Sequence, residues 1–131
     1  MDIFLTVIVI VVLMLSLKIF MQKRSQRYNG KSINVSIFDE EIKSLLNTKK
    51  SVLYFFTLSC GVCKKQSPII DKLKEEIKFV GKIDLSNNMI AATEFGILGT
   101  PTTVIMQRNN IAEIFVGLKK YDFLKSKFEA L

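Results

Sequence analysis

The only two cysteines of the chain, Cys60 and Cys63, are separated by two residues, so their sulfurs can meet. One thiolate could attack a disulfide in another molecule, and the second could resolve the mixed disulfide that forms. A structural zinc ion usually takes four protein ligands, whereas this chain has two thiols and no histidine. A zinc ion shared between two chains, or two inert core cysteines, remain as alternatives. The spacing favours thiol–disulfide exchange.

A second candidate for this chemistry is Pro101, which stands in the sequence Gly99-Thr100-Pro101-Thr102 directly before an apolar run. Proline cannot occupy a central strand, but it can begin one, and a cis bond before it makes a tight turn. An isolated proline is usually trans. Because a CxxC pair lies upstream in this order of elements, we predict the cis form.

The cysteines lie between a predicted strand and a predicted helix. Residues 51–57 (SVLYFFT) form a continuous run rich in β-branched and aromatic residues, which is typical of a strand covered on both faces. Apolar residues then recur at helical spacing, which predicts a helix from near Cys60 to Phe79 with a kink at Pro68. A cysteine at the start of such a helix lies beside free N–H groups, which favour thiolate over thiol.

The whole pattern predicts the order β-α-β-α-β-α-β-β-α and therefore an α/β fold, with a mixed central sheet flanked by helices. The other predicted elements are a short strand at 35–37, a helix capped by Ser36 or Asp39 and ending at Asn47, a strand at 80–85, a helix capped by Asn87 or Asn88 and ending at Phe95, strands at 102–107 and 111–116 around a turn at 108–110, and a helix at 118–131.

These motifs resemble those of the thioredoxin family along residues 35–131. Family members have an apolar strand ending in a CxxC, a proline five residues after the second cysteine, and a cis-proline loop reading G-x-P-T. They also have an aromatic-Gly-Ile run and a glycine that ends the last strand. The matching positions in this chain are Cys60, Cys63, Pro68, 95–97, 99–102 and Gly117.

The resemblance implies a thioredoxin-like fold and a role for each residue of the site. Cys60 would be the nucleophile and Cys63 the resolving thiol. The backbone of Thr100, beside Pro101, would dock an extended substrate by strand-like hydrogen bonds. Protein disulfides and dithiols would be the partners, with no metal and no organic cofactor. The active-site loop would also include Ser59, Gly61 and Val62.

The chain departs from the family pattern at several positions. Ser59 stands where the family usually has tryptophan, and the dipeptide between the cysteines is Gly-Val instead of Gly-Pro. Tyr54 stands where thioredoxin buries an aspartate that helps to deprotonate the resolving cysteine. Lys82 matches the lysine that accompanies this aspartate, and Asp84 on the same strand is a substitute base. Lys82 and Asp84 are thus candidate aids to proton transfer; otherwise the transfer at Cys63 depends on water.

The N-terminal segment predicts a membrane span. Residues 3–21 are almost entirely apolar, and 19 helical residues extend about 28 Å, close to the ~30 Å hydrocarbon core of a bilayer. The segment has no polar face, which argues against a buried helix of a globular protein. A cleaved signal peptide would carry positive charge before the apolar run, but here Asp2 precedes it and the basic residues follow. We therefore interpret residues 1–21 as an uncleaved transmembrane anchor.

Charge indicates how the rest of the chain is arranged. Residues 22–34 are polar and basic, which predicts a linker between the anchor and a domain at 35–131. The net charge is +7, but the domain mixes lysines with acidic residues and shows no basic block, so nucleic acid is not an expected partner. Basic residues after a span predict that the domain faces the cytoplasm. A domain on the other side of the membrane is the alternative.

The sequence therefore predicts a membrane-tethered thiol–disulfide oxidoreductase that acts through its CGVC pair, as a reductase if it faces the cytoplasm. Facing outward, it would serve extracytoplasmic thiols. The alternative from another class is a thioredoxin-fold docking module at the membrane with little redox activity. The absent tryptophan and aspartate leave this alternative open, although a pure adaptor has no need of both cysteines.

Overall fold

A computed structural model describes residues 2–131 and shows five α-helices, one short 3-10 turn and four β-strands in that range. In chain order these are α1 (Ile3–Gln26), the 3-10 turn (Val35–Ile37), α2 (Glu40–Leu46), β1 (Lys50–Phe56), α3 (Cys63–Glu76), β2 (Val80–Asp84), α4 (Met89–Phe95), β3 (Thr102–Gln107), β4 (Asn110–Val116) and α5 (Tyr121–Glu129).

The strands form one mixed sheet in the order β2-β1-β3-β4. β1 runs parallel to β2 and antiparallel to β3, and β3 and β4 form an antiparallel hairpin. Arg108 in the hairpin turn has a φ of +53°. The predicted mixed sheet and the predicted hairpin are both confirmed.

Helices cover both faces of the sheet, because successive side chains of a strand point in opposite directions. Leu53 and Phe55 of β1 lie in a core shared with α2 and α4, whereas Val52 and Tyr54 lie in a core shared with α3 and α5. All four side chains are buried. β1 is therefore the strand, covered on both faces, that its continuous apolar sequence predicts, and it ends directly before the cysteine segment.

The predicted strand at residues 35–37 is wrong, because this segment is a 3-10 turn. The side-chain oxygen of Asn34 accepts hydrogen bonds from the backbone N–H of Ser36 at 3.1 Å and from its hydroxyl at 2.7 Å. The N–H of Phe38 donates to the carbonyl of Val35 at 3.2 Å. Such local bonds compete with strand pairing, and they hold the segment in a turn.

Residues 22–34, which the sequence predicts as a linker, are helical at first, contact β4 through Gln22, and pack on the domain core from Tyr28 onward. The N–H of Gly30 donates to the carbonyl of Ile111 in β4 at 2.6 Å, and the side chain of Ile33 is buried. The segment is thus not a free spacer over its second half. The physical reason is that β4 is an edge strand, whose outward backbone groups need partners.

Two helices are shorter than predicted. α3 begins at Cys63 instead of near Cys60, because the residues after β1 first form two turns. It ends at Glu76, since Ile77 adopts an extended conformation and leads into β2. α5 begins at Tyr121, three residues later than predicted. The active-site loop is correspondingly longer than the sequence indicates.

α1 is solvent-exposed along its apolar length, from residue 3 to residue 20. A stretch of 22 residues, Ile3–Arg24, is long and apolar enough to cross a membrane. At 1.5 Å per residue it extends about 33 Å, which matches the hydrocarbon thickness of a bilayer. Only the C-terminal part of α1 reaches the domain, where the amide of Gln22 donates to the carbonyl of Ile114 at 3.1 Å.

Candidate active site

Cys60 and Cys63 form a disulfide bond, and their Cα atoms lie 5.3 Å apart. Their environments differ. Cys63 is 3% exposed, because it occupies the inner face of the first turn of α3, whereas Cys60 in the preceding loop is partly exposed. Cys60 is therefore the cysteine that another protein can reach.

The start of α3 directs backbone N–H groups toward the cysteine pair. The N–H of Cys63 donates to the sulfur of Cys60 at 3.1 Å. α3 contains 14 residues, and the N-terminus of such a helix carries a partial positive charge. After reduction, the same N–H and the helix dipole would favour a thiolate at Cys60.

The loop before β3 lies at the same end of the sheet as the cysteines. Phe55, near the end of β1, is paired in register with Thr102 at the start of β3. The peptide bond between Thr100 and Pro101 is cis, as predicted. The carbonyl of Pro101 accepts a hydrogen bond from the N–H of Gly117 at 2.8 Å, which ties this loop to the end of β4.

The residues predicted to dock a substrate differ in their exposure. Ser59 and Gly61 are exposed, and the Val62 side chain is 47% exposed. Thr100 is half-buried and Pro101 is buried. Within residues 2–131, the backbone N–H and carbonyl of Thr100 have no hydrogen-bond partner. These two groups are therefore available to a bound peptide.

Tyr54 fills the position at which the family resemblance implies a buried aspartate. Its side chain is fully buried, and its hydroxyl donates to the carbonyl of Cys63 at 3.1 Å. The same oxygen lies 3.2 Å from the hydroxyl of Ser67. Burial is the main cause that raises the pKa of Tyr54 above its ordinary value of 10.0. The phenol therefore stays protonated and acts as a hydrogen-bond donor at the first turn of α3.

Lys82 and Asp84 have partners other than the cysteines. Lys82 forms an ion pair with Asp71 of α3. Asp84 is exposed, and its carboxylate accepts the N–H of Ser86 at 2.9 Å. Hydrogen bonds from the side chain and backbone of Ser86 lower the pKa of Asp84, which makes it a weaker base. No hydrogen bond or ion pair of either residue reaches the cysteines within the described range, so their proposed proton-transfer role stays a prediction.

Gln66 is a positioning residue that the sequence reasoning missed. Its side chain is fully buried on α3. Its amide donates to the carbonyl of Lys119 at 3.1 Å and accepts the N–H of the same residue at 2.7 Å. These two bonds attach α3 to the loop after β4. A polar residue at an inner-face position, in helical register with Ile70 and Leu73, was the available signal.

Comparisons with known proteins agree with this geometry. A family model described as Thioredoxin matches residues 29–130, which contain both cysteines and the cis-proline. The thioredoxin of Chlamydia caviae is 28% identical over 87 residues, or 65% of this chain and 85% of that protein. The thioredoxin of Bacillus subtilis is 31% identical over 75 residues, or 54% of this chain and 71% of that protein. A solved structure of a mutant thioredoxin from Halobacterium salinarum superposes with a TM-score of 0.66 at 28% identity, covering 71% of this chain and 84% of that one.

Proposed function

We propose, from the premise that this chain belongs to the thioredoxin family and is a thiol–disulfide oxidoreductase, that it works as a membrane-tethered reductase of protein disulfides. In this proposal Cys60 is the nucleophile and Cys63 the resolving thiol. The observation that carries the proposal is the bonded cysteine pair at the N-terminus of α3, at the same end of the sheet as the cis-Pro101 loop.

The exchange proceeds in two steps that balance in atoms and electrons. The Cys60 thiolate attacks one sulfur of a substrate disulfide, and the other substrate sulfur leaves as a thiolate that takes up a proton. The sulfur of Cys63, after losing its proton, attacks the Cys60 sulfur and releases the second substrate thiol. The Cys60–Cys63 disulfide forms, and the substrate gains two electrons and two protons. A dithiol reductant must then reduce the pair again.

The difference in exposure supports this order of attack. Cys63 is almost completely buried, so an incoming protein disulfide meets the partly exposed Cys60 first. The N–H of Cys63 already points at the Cys60 sulfur and would stabilise its negative charge. Once a substrate is attached to Cys60, Cys63 is the nearest nucleophile.

The free backbone groups of Thr100 support the proposed docking mode. An extended peptide could accept the Thr100 N–H and donate to the Thr100 carbonyl, as a strand does at a sheet edge. Ser59, Gly61 and Val62 would form the opposite side of the peptide site, because they are exposed in the cysteine loop. Backbone recognition of this kind accepts substrates of different sequence.

The apolar helix α1 supports the membrane tether. We assign it as an uncleaved anchor, because the basic residues of this segment follow the apolar stretch and do not precede it. The same charges favour a domain on the cytoplasmic side. In that compartment the surrounding thiol pool is reducing, and the pair would run as a reductase.

Insulin reduction tests the proposed chemistry. The full chain in a nonionic detergent, with dithiothreitol as reductant, should precipitate insulin well above the uncatalysed rate, and Cys60→Ser should return the rate to background. Cys63→Ser should instead accumulate mixed disulfides with protein partners, because the resolving step is missing. A Cys60→Ser variant that keeps its activity would refute the assignment of the nucleophile.

Sidedness needs a separate experiment. Intact cells are treated with a membrane-impermeant thiol reagent after mild reduction, and lysed cells serve as the control. We expect labelling of Cys60 only after lysis. Labelling in intact cells would place the domain outside and remove the argument for reductase activity in the cytoplasm.

A further inference from the structure

A cleft of about 540 Å³ lies between the C-terminal end of α1 and the segment that follows β4. Its volume is within the range of small-molecule sites, which are about 300–1,000 Å³. The walls combine apolar side chains with three lysines, and no acidic residue is among them. The lining residues are Lys18, Ile19, Met21, Gln22, Lys23, Val116, Gly117, Leu118 and Lys119.

The two walls of the cleft are fixed to each other by specific contacts. The amide of Gln22 donates to the carbonyl of Ile114 at 3.1 Å and accepts the N–H of Val116 at 3.5 Å. Further along the chain, the ring of Tyr28 occupies the space where Gly96 lacks a side chain. The cleft is therefore a formed feature of the fold and not a gap between two independent parts.

The lysines of the cleft have no carboxylate partner among the described residues, although the ammonium group of Lys119 lies 5.7 Å from the centroid of the Phe123 ring. Within residues 2–131, none of the ammonium groups of Lys18, Lys23 and Lys119 has an ion-pair partner. A lining that combines three lysines with apolar residues fits a ligand that has a negatively charged group next to hydrocarbon. The end of a membrane span is the depth at which lipid phosphates and the first carbons of their acyl chains occur.

We propose that the cleft binds the headgroup of an anionic phospholipid. This inference rests on the proposed membrane span. The lipid phosphate lies among the three ammonium groups, and the glycerol and upper acyl carbons lie against Ile19 and Leu118. A zwitterionic lipid binds more weakly, because its own cation opposes the lysines.

The position of the cleft links the lipid to the redox site. Gly117 in its wall donates to the carbonyl of Pro101 at 2.8 Å, and the backbone of Lys119 is held by the buried amide of Gln66. The terminal methyl of Met21 lies 3.7 Å from the position that a side chain on Gly99 would take. A bound headgroup therefore holds the cis-proline end of the sheet near the bilayer, where disulfides of membrane proteins and their juxtamembrane segments would be the substrates within reach.

The test uses the full chain in nonionic-detergent micelles and follows the backbone amide signals of Gly117 and Lys119 by NMR. Dioctanoyl phosphatidylglycerol, dioctanoyl phosphatidylcholine and inorganic phosphate are titrated separately. We expect saturable shifts with phosphatidylglycerol and much weaker ones with the other two. Each Lys→Gln change at position 18, 23 or 119 should weaken the affinity about fivefold, as expected for one lysine near an anionic lipid.

Lys74→Gln is the matched control, because Lys74 is an exposed lysine of α3 outside the cleft, and it should leave the affinity unchanged. Unchanged amide signals elsewhere in each variant show that the fold is kept. Equal shifts with phosphatidylcholine, or a triple lysine variant that binds as tightly as the original chain, would overturn the proposal. Equal shifts with inorganic phosphate would overturn it too, since the site would then take a free anion. Insulin reduction in the same samples reports separately on the proposed function.

Discussion

α1 and α3 are both long helices, but they depend on opposite surroundings. α3 buries one face against the sheet, with Gln66, Ile70 and Leu73 fully buried, and leaves the other face in solvent. α1 is apolar around its whole circumference, and its first eighteen residues bury nothing against the domain. The geometry at the cysteines therefore depends on α3 and the sheet, whereas in the proposed function the membrane location depends on α1. Substitutions in the exposed part of α1 should leave the cysteine geometry unchanged, and substitutions in α3 should leave the membrane location unchanged.

The largest expected effect is the loss of the membrane anchor. Ile10→Lys with Leu13→Lys places two charges near the middle of α1, at a cost of about 6 kcal/mol for membrane insertion. The double variant should appear in the soluble fraction after carbonate extraction. Its insulin reduction in detergent should be unchanged, because residues 10 and 13 lie in the exposed part of α1, away from the cysteines.

The control is the pair Met89→Lys with Ile90→Lys, which alters two exposed apolar residues of the domain. This variant should stay in the membrane fraction. Equal extraction of the two double variants would show that α1 is not what holds the protein at the membrane.

The next effect concerns the packing of α3. Leu73→Ala removes a fully buried leucine, which should lower the free energy of unfolding by about 2–5 kcal/mol. Leu17→Ala, the same change in exposed α1, should leave domain unfolding unchanged. Urea denaturation of the two variants in detergent, followed by circular dichroism, makes the comparison, and equal losses would mean that α1 also packs on the domain core.

The contact between Tyr28 and Gly96 joins the segment after α1 to the end of α4. Gly96 has a φ of +65°, and a side chain there would overlap the Tyr28 ring. Gly96→Ala should cost about 2 kcal/mol of unfolding free energy, partly from backbone strain and partly from the overlap. Adding Tyr28→Ala to Gly96→Ala should remove the part of this loss that comes from the overlap and leave the part that comes from backbone strain. If the double variant is no more stable than expected from adding two independent losses, the two residues do not contact.

A smaller effect is expected at the buried hydroxyl of Tyr54. Tyr54→Phe leaves the carbonyl of Cys63 and the hydroxyl of Ser67 without this partner, which should cost about 1 kcal/mol of stability. The pH dependence of Cys60 alkylation should keep its midpoint. Burial raises the pKa of Tyr54, so the phenol does not titrate near neutral pH. A shifted midpoint would show that Tyr54 acts as more than a structural donor.

The smallest effect is expected for Asp84→Asn. Its lowered pKa means that the folded state favours the carboxylate, so its contribution to stability is present above the unfolded pKa of about 3.9. This contribution is lost as the pH falls through the folded pKa. The free energy of unfolding of the variant should therefore decrease less at low pH. Insulin reduction near neutral pH should be unchanged. A clear loss of rate would instead support Asp84 as the base for Cys63.

The sequence carried most of the information about the sheet and the cysteines. β1 could be predicted because a strand covered on both faces is apolar at successive positions, as residues 52–56 are. Each helix cap could be predicted only as one of two residues, because any short polar side chain can satisfy the first N–H groups of a helix; the caps are Asp39 and Asn88. The cis bond before Pro101 could be predicted only together with Cys60 and Cys63, since a proline alone has no such signal.

Other features could not be predicted, because they depend on partners far away in the chain. Lys82 of β2 forms an ion pair with Asp71 of α3, and the amide of Gln66 forms two hydrogen bonds with the backbone of Lys119. No local spacing in the sequence indicates either contact. The turn at 35–37 depends on the hydrogen bonds of a single asparagine, which outweigh the strand propensity of two β-branched residues. These contacts depend on residues that are distant in the chain or on one side chain, and the periodicity of apolar residues indicates neither.

The backbone of residues 30–33 runs along the outer side of β4, with Gly30 and Ile111, Ile111 and Lys31, and Ile33 and Asn109 sharing N–H to carbonyl bonds. An open strand border is a common starting point for fibrils and for sheets shared between molecules. In the proposed membrane location, copies of the protein share a two-dimensional surface and meet often. Because residues 30–33 bond to residues 109–111, the first part of the β4 border is already paired with the protein's own chain and is not open to a neighbouring copy.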